Sequence, residues 1–209
     1  MACKWIIGNG IFLDIAYDAW QRAFPESNLE KIIIQQNSKY EFDLSPLNTL
    51  DSTAGSAFIA VDERFGNFKR MELMSAVMLK GFKLESLLSP RAMIASNVKI
   101  GLNTLISDGV IIGQNSRIDY NSILMPGVQV GNKTHIKPSC WIESGVMIGD
   151  NAQIDAHCIL RTGTIIKHGI KIGRYCELGW PQLYEKNIPN KTIFDSRYDS
   201  PIHTYETKR

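Results

Sequence analysis

Residues 106–148 read ISDGVIIGQNSRIDYNSILMPGVQVGNKTHIKPSCWIESGVMI. An aliphatic side chain returns there at every sixth position: Ile106, Ile112, Ile118, Leu124, Val130, Ile136, Ile142 and Ile148. Followed outward, the series starts at Leu88 and passes Ile94 and Ile100. It then continues through Ile154, Leu160, Ile166 and Ile172 to Leu178, sixteen aliphatics without a miss. A second series, two positions earlier, is mostly small; it includes Ala92, Val98, Thr104, Val110, Ser116, Ser122, Val128, Thr134, Cys140, Cys158 and Cys176. Glycine follows the aliphatic at 101, 113, 131, 149, 173 and 179. A period of six fits neither an α-helix, at about 3.6, nor a free strand, at about 2. It is the signature of a parallel β-helix.

In that fold each hexad supplies one short strand and one corner, and three hexads close one triangular coil. The span from Leu88 to Leu178 then holds about five coils. The aliphatic points inward and stacks on its equivalent one strand spacing away, roughly 4.8 Å. Each such burial stabilises by about 1.5–3 kcal/mol, and repetition adds the contributions. One inserted residue would turn the inward set outward. Cys140, Cys158 and Cys176 are each three hexads apart and stack on one face. They occupy the small inward slot and lack paired CxxC spacing, so they read as an interior ladder and no metal site is expected. Cys3 stands alone. With no disulfide framework, signal peptide or membrane-spanning run, the expected location is cytoplasmic.

The 209 residues carry 23 Lys and Arg against 21 Asp and Glu, a net charge of +2. Both signs are spread evenly, which excludes a nucleic-acid stripe, and no polybasic amphipathic segment marks a membrane surface. The partners expected are a small molecule or further copies of the chain.

Residues 1–80 have no hexads. Lys4-Trp5-Ile6-Ile7 reads as a strand ending in Gly8-Asn9-Gly10, and 11–23 as a helix ending before Pro25. Ile32-Ile33-Ile34 reads as a second buried strand and Phe58-Ile59-Ala60-Val61 as a third. Residues 67–80 read as a helix stopped by Gly81. The order β-α-β-β-α predicts a small open parallel sheet, an α/β N-terminal domain before the β-helix. A Gly-x-Gly turn between strand and helix lets backbone N–H groups approach a phosphate. Leu13 replaces the third glycine of a dinucleotide fingerprint, and the second strand ends in Gln35-Gln36-Asn37, without an acidic residue. Both argue against NAD. Gly8, Asn9 and Gly10 therefore stand as candidates for a nucleotide-sugar diphosphate, against a turn required only by packing.

The opening Ile6-Ile7-Gly8-Asn9-Gly10, the segment Leu87-Leu88-Ser89-Pro90-Arg91-Ala92 and the unbroken hexads together resemble one family. It is that of the bacterial sugar acetyltransferases typified by the bacillosamine and perosamine N-acetyltransferases and the sialic acid O-acetyltransferase. The resemblance covers roughly residues 4–180. It implies a left-handed β-helix, a homotrimer, a nucleotide-linked amino sugar held by the N-terminal domain, and acetyl-CoA lying between subunits. It also implies a corner histidine as general base, followed by an acidic residue. The best local match, Leu160 to Gly173, supplies Thr162, His168 and Ile172-Gly173, with Gly169 in place of the acid. Counting without gaps from Ser89-Pro90 puts the base slot at Asn132. The two candidates, His168 and Asn132, are two full coils apart, which places them in one corner column. His135 and His157 match no motif.

The expected division is 1–80 for nucleotide-sugar binding, 81–179 for the β-helix and 180–209 as a capping tail. The tail carries Trp180, Tyr184, Phe194, Tyr198 and Tyr205. The expected activity is acetyl transfer from acetyl-CoA to the amino group of a nucleotide-linked sugar in surface-glycan synthesis. The alternatives are hydroxyl acetylation and a binding or scaffold protein that has lost the base.

Overall fold

The computed structural model describes residues 3–204; Tyr205 lies outside them. Four strands, β1 (Cys3–Gly8), β2 (Asn28–Ile33), β3 (Gly55–Ala60) and β4 (Lys83–Leu84), form a parallel sheet in the order β2-β1-β3-β4. Helices α1 (Gly10–Ala23) and α2 (Phe68–Leu79) follow β1 and β3. Alternate side chains of β1 enter different cores. Trp5 and Ile7 pack with α2 residues Leu73 and Val77, while Ile6 packs with Phe12, Leu13 and Trp20 of α1. β2 differs from its reading as a buried strand. It lies at the sheet edge with Ile33 54% exposed, and only Ile34, just past its end, is fully buried.

From Leu87 the chain winds through short strands that pair only with strands one full coil away: Leu88 with Ile106, Ile94 with Ile112, Ile100 with Ile118, and onward. Three flat parallel faces result. The first runs from Leu87–Leu88 to Glu177–Leu178, the second from Met93–Ile94 to Leu183–Tyr184, and the third from Lys99–Ile100 to Lys171–Ile172. The aliphatic series is the core, with Ile118, Ile136, Ile142, Ile154, Leu160 and Ile172 all at 0% exposure.

The second series has a polar function as well. Thr134 Oγ1 donates to the Gly149 carbonyl at 2.9 Å, Ser116 Oγ to Gly131 at 2.8 Å, and Cys158 Sγ to Gly173 at 3.0 Å. Each small side chain thus satisfies a corner carbonyl of the next coil, which explains why Ser, Thr and Cys interchange in a buried slot. All four cysteines are free.

The ladder does not end at Leu178. Leu183–Tyr184 pairs with Ile165–Ile166, Ile188 bridges Ile172, and Ile193–Phe194 pairs with Glu177–Leu178. The steps from Ile172 to Ile188 and from Leu178 to Phe194 each fall two positions short of a full coil, so this last turn is tighter than the rest. Ile202–His203 then adds antiparallel to Thr192–Ile193.

The sheet domain rests on the first face. Leu87, Leu105, Ile123, Trp141 and Ile159 point outward from it into one core with Ile6, Phe12, Ala16 and Phe58. Phe12 meets Trp141 edge-on at 4.8 Å between ring centroids. Where β4 stops, the edge of β3 is closed by the β-helix itself, because Asn103 Oδ1 accepts the Ile59 N–H at 2.7 Å.

Candidate active site

The glycine turn sits where β1 passes into α1. Gly8 is required by packing, since a Cβ there would lie 1.9 Å from the Ala60 carbonyl oxygen. Gly10 is under no such constraint. It takes φ +66°, and its open side faces Arg64, whose Nη2 would be 3.8 Å from an added Cβ. Between them Asn9 donates through Nδ2 to Gln36 at 3.2 Å, while its own Oδ1 has no partner among the described residues. The start of α1, with its free N–H groups, and the Arg64 guanidinium thus border one place suited to an anion.

The loop after β3, which carries Arg64, is fixed in position. Phe65, Gly66 and Asn67 have φ of 54°, 60° and 66°, three left-handed residues in succession. Arg70, fully buried, holds the loop by donating to the carbonyl of Val61 at 3.2 Å, to Asn67 Oδ1 at 2.8 Å and to the corner carbonyl of Asn121 at 3.0 Å. Burial pushes its pKa down to about 10, which still leaves it charged at neutral pH. A second tie is Arg161, which reaches Glu63 at 2.9 Å, Glu143 at 2.7 Å and Glu177 at 2.8 Å. Partial burial opposes the charge of Arg161, but the three carboxylates outweigh it and hold the guanidinium protonated.

His168 is an exposed corner residue whose imidazole makes no hydrogen bond among the described residues. Its backbone lies over Gly149, where a Cβ would come within 2.6 Å of the His168 nitrogen. Asn132 stands in the same column and is used as a rung: Oδ1 accepts the Gln114 N–H at 2.8 Å, and its own N–H donates to Asp150 Oδ1 at 2.7 Å. Asp150 therefore lies between Asn132 and His168, one strand spacing (roughly 4.8 Å) from each along the axis. Gly169 leaves no acid next to His168 in sequence, and the carboxylate of this column, Asp150, stands one coil back and turns to Asn132, away from His168. This column separates the second and third faces, opposite the face that carries the sheet domain. A single chain brings Asn132, Asp150 and His168 into one line, but not beside Gly8, Asn9 and Gly10.

Two further histidines are engaged. His135 Nε2 lies 2.7 Å from Asp119 Oδ2, and Arg117 Nε donates to the other carboxylate oxygen at 2.5 Å. His157 is buried, with Nδ1 3.1 Å from the Gly66 carbonyl. Burial pushes its pKa down, aided by Arg70 and Arg174, against the opposing effect of the Gly66 hydrogen bond. No cluster of three or more His, Cys, Asp or Glu suited to a metal occurs among the described residues. No helix among them is long and apolar enough to cross a membrane.

Residues 79–180 match the family described as GlmU-like, C-terminal hexapeptide. The fold is that of known sugar acetyltransferases. The structure of PerB from Caulobacter crescentus, in complex with CoA and GDP-perosamine, superposes with a TM-score of 0.80 at 20% identity, covering 92% of this chain and 93% of that one. The acetyltransferase domain of PglB from Neisseria gonorrhoeae gives 0.68 at 18% identity, covering 97% and 100%. The same domain in complex with acetyl coenzyme A gives 0.58 at 19% identity, covering 96% and 99%. No curated protein matches the sequence.

Proposed function

We propose that this protein transfers an acetyl group from acetyl-CoA to the amino group of a nucleotide-linked sugar destined for a surface glycan. The observation that carries the reading is the whole-chain likeness to PerB, a protein bound to CoA and GDP-perosamine, joined to an anion-suited turn where β1 passes into α1. In this reading Gly8, Asn9 and Gly10 hold the diphosphate, with Arg64 beside them. The amine attacks the thioester carbonyl, and a backbone N–H at a corner stabilises the oxyanion. The base that takes the amine proton returns it to the departing CoA thiolate. His168 is proposed for that task, with Asp150 below it and Asn132 as the alternative active corner.

The working unit is proposed to be a homotrimer of left-handed helices. The second face supports this: Met93, Ile111, Met147, Ile165 and Leu183 form an outward column, each between 37% and 61% exposed. That face borders the Asn132–Asp150–His168 corner, so covering it with another copy places the corner at a subunit boundary. The glycine turn of one copy and the corner of its neighbour would then form one site. Four free cysteines suit the reducing cytoplasm, where acetyl-CoA is available.

The test is a direct assay of thiol release from acetyl-CoA with a panel of amino-sugar nucleotides, and with the corresponding hydroxyl sugars. Turnover with amino sugars alone is expected. Turnover with hydroxyl sugars alone would mean O-acetylation, and none with either would favour a binding protein.

A further inference from the structure

One corner column, between the third and first faces, holds Asn103, Asn121, Ser139, His157 and Tyr175, with φ of 53°, 58°, 60°, 61° and 59°. Asparagine is at home in this left-handed region, histidine less so, and a tyrosine there is an outlier. The first three residues serve docking. Asn103 caps β3, Asn103 donates to Asn121 at 2.9 Å, and Asn121 donates to Ser139 at 2.9 Å. The last two do something else. His157 and Tyr175 turn toward Phe68 at the start of α2, with Phe68–His157 centroids 4.4 Å apart at 17° and Phe68–Tyr175 centroids 5.7 Å apart at 25°. The left-handed turn itself belongs to the coil, since Asn115, Lys133 and Asn151 share it in another column; what sets this corner apart is its rings.

These rings border a cavity of about 400 Å³ whose wall includes Gly66, Ile159 and Glu177. Phe68 is 46% exposed and Tyr175 38% exposed, so aromatic surface remains uncovered. The Gly66 carbonyl takes the Nδ1 proton of neutral His157, which leaves Nε2 an acceptor. Arg161 occupies Glu177 Oε1, and Oε2 accepts no bond among the described residues. The cavity thus offers flat apolar surface together with acceptors at its edge. Gly66 is two residues beyond Arg64, which borders the glycine turn.

We propose that this cavity binds the planar base of a nucleotide, stacked on Phe68 and Tyr175 with its N–H groups directed to Glu177. The choice of a nucleotide rests on the reading above. Two sources share the chemistry, the base of the sugar nucleotide and the adenine of coenzyme A.

The full chain can be titrated calorimetrically with GDP, UDP and dTDP in one arm, and with CoA and adenosine 3′,5′-bisphosphate in the other. The variants are Phe68→Ala and the double change His157→Asn with Tyr175→Asn. The double variant installs the residue already used at 103 and 121, so the turns are kept, and thermal melting checks this. Loss of one stacked base should weaken binding about tenfold to a hundredfold. Weakening confined to the diphosphates assigns the cavity to the sugar nucleotide, and weakening confined to the CoA arm assigns it to the coenzyme. Weakening in both arms means that the two compete there. Unchanged affinities in both variants, or no nucleotide binding by the wild type, would overturn the proposal. A wild type that binds through these rings yet transfers no acetyl group overturns the reaction and leaves the site standing.

Discussion

Gly8 and Gly10 are two residues apart and answer to different constraints, so substitutions separate packing from binding. Gly8→Ala drives a Cβ into the Ala60 carbonyl and should unfold the sheet domain. Gly10→Val meets only the tip of the Arg64 side chain, at van der Waals distance, and costs the left-handed backbone, about 1–2 kcal/mol. It should leave the β-helix melting intact while removing the thermal shift that nucleotide sugars give the wild type; an unchanged shift would reject the anion assignment. For His168→Ala the expected result is turnover lower by about 10²–10⁴ with folding unaffected, because an exposed corner supports no apolar layer. Asn132→Ala discriminates between the two corners. It alone should lower activity if the true centre is one coil below Asp150, and it should also cost some stability through the lost Gln114 rung. His157 predicts a pH effect. Its folded pKa lies below the ordinary 6.5, so below that pH the unfolded chain takes up the proton first. Stability should therefore fall as the pH drops below about 6.5. Melting curves between pH 5 and 7.5 should show that slope in the wild type and a shallower one in His157→Asn.

The β-helix strands were legible as elements because one rule repeats, and the repeat specifies both the inward face and the partner one coil away. The same rule predicts tolerance at Cys158. Its thiol fills a slot held elsewhere in its own column by Thr104, Ser122, Cys140 and Cys176, and it donates to the Gly173 carbonyl, so Cys158→Thr, which keeps a donor, should change stability by less than about 1.5 kcal/mol. Cys158→Leu should overpack the layer and cost about 1–3 kcal/mol, as read from urea unfolding midpoints. Where the period slips, legibility ends. Tyr184 keeps the sixfold phase, Ile188 arrives two residues early, and Phe194 resumes the count, so a hexad search stops while the ladder goes on. The site was less legible for the same reason. Asp150 accepts from Asn132 one coil back, a relation visible only when the chain is read coil by coil. His135 meets Asp119 almost a coil away, and Phe68 of the sheet domain meets His157 deep in the β-helix, relations no local pattern encodes. β2 misled for a different reason: three isoleucines in a row read as buried, yet an edge strand covers only part of each face.

The whole molecule poses the question of what covers the second face. Its outward column of Met93, Ile111, Met147, Ile165 and Leu183 is broken only by Gln129, and it is flat, apolar and about five strand spacings long, roughly 24 Å. Contiguous apolar surface of that kind marks an interface. The first face is closed by the sheet domain, whereas the third is lined by Lys99, Arg117, His135, Gln153 and Lys171, which water can solvate. Association through the second face is therefore the expected outcome, and sedimentation at micromolar concentration should give three times 23.5 kDa. Met147→Asp with Ile165→Asp puts two carboxylates on that face without touching the inward layer of Ile148 and Ile166. The double variant should sediment as a folded 23.5 kDa monomer with an unchanged far-UV spectrum. If the glycine turn and the His168 corner meet only across subunits, that monomer should retain nucleotide affinity and lose turnover by at least the factor expected for removing the base. A monomer with full turnover would place the chemistry within one chain, and a wild type that sediments as a monomer would remove the shared site altogether.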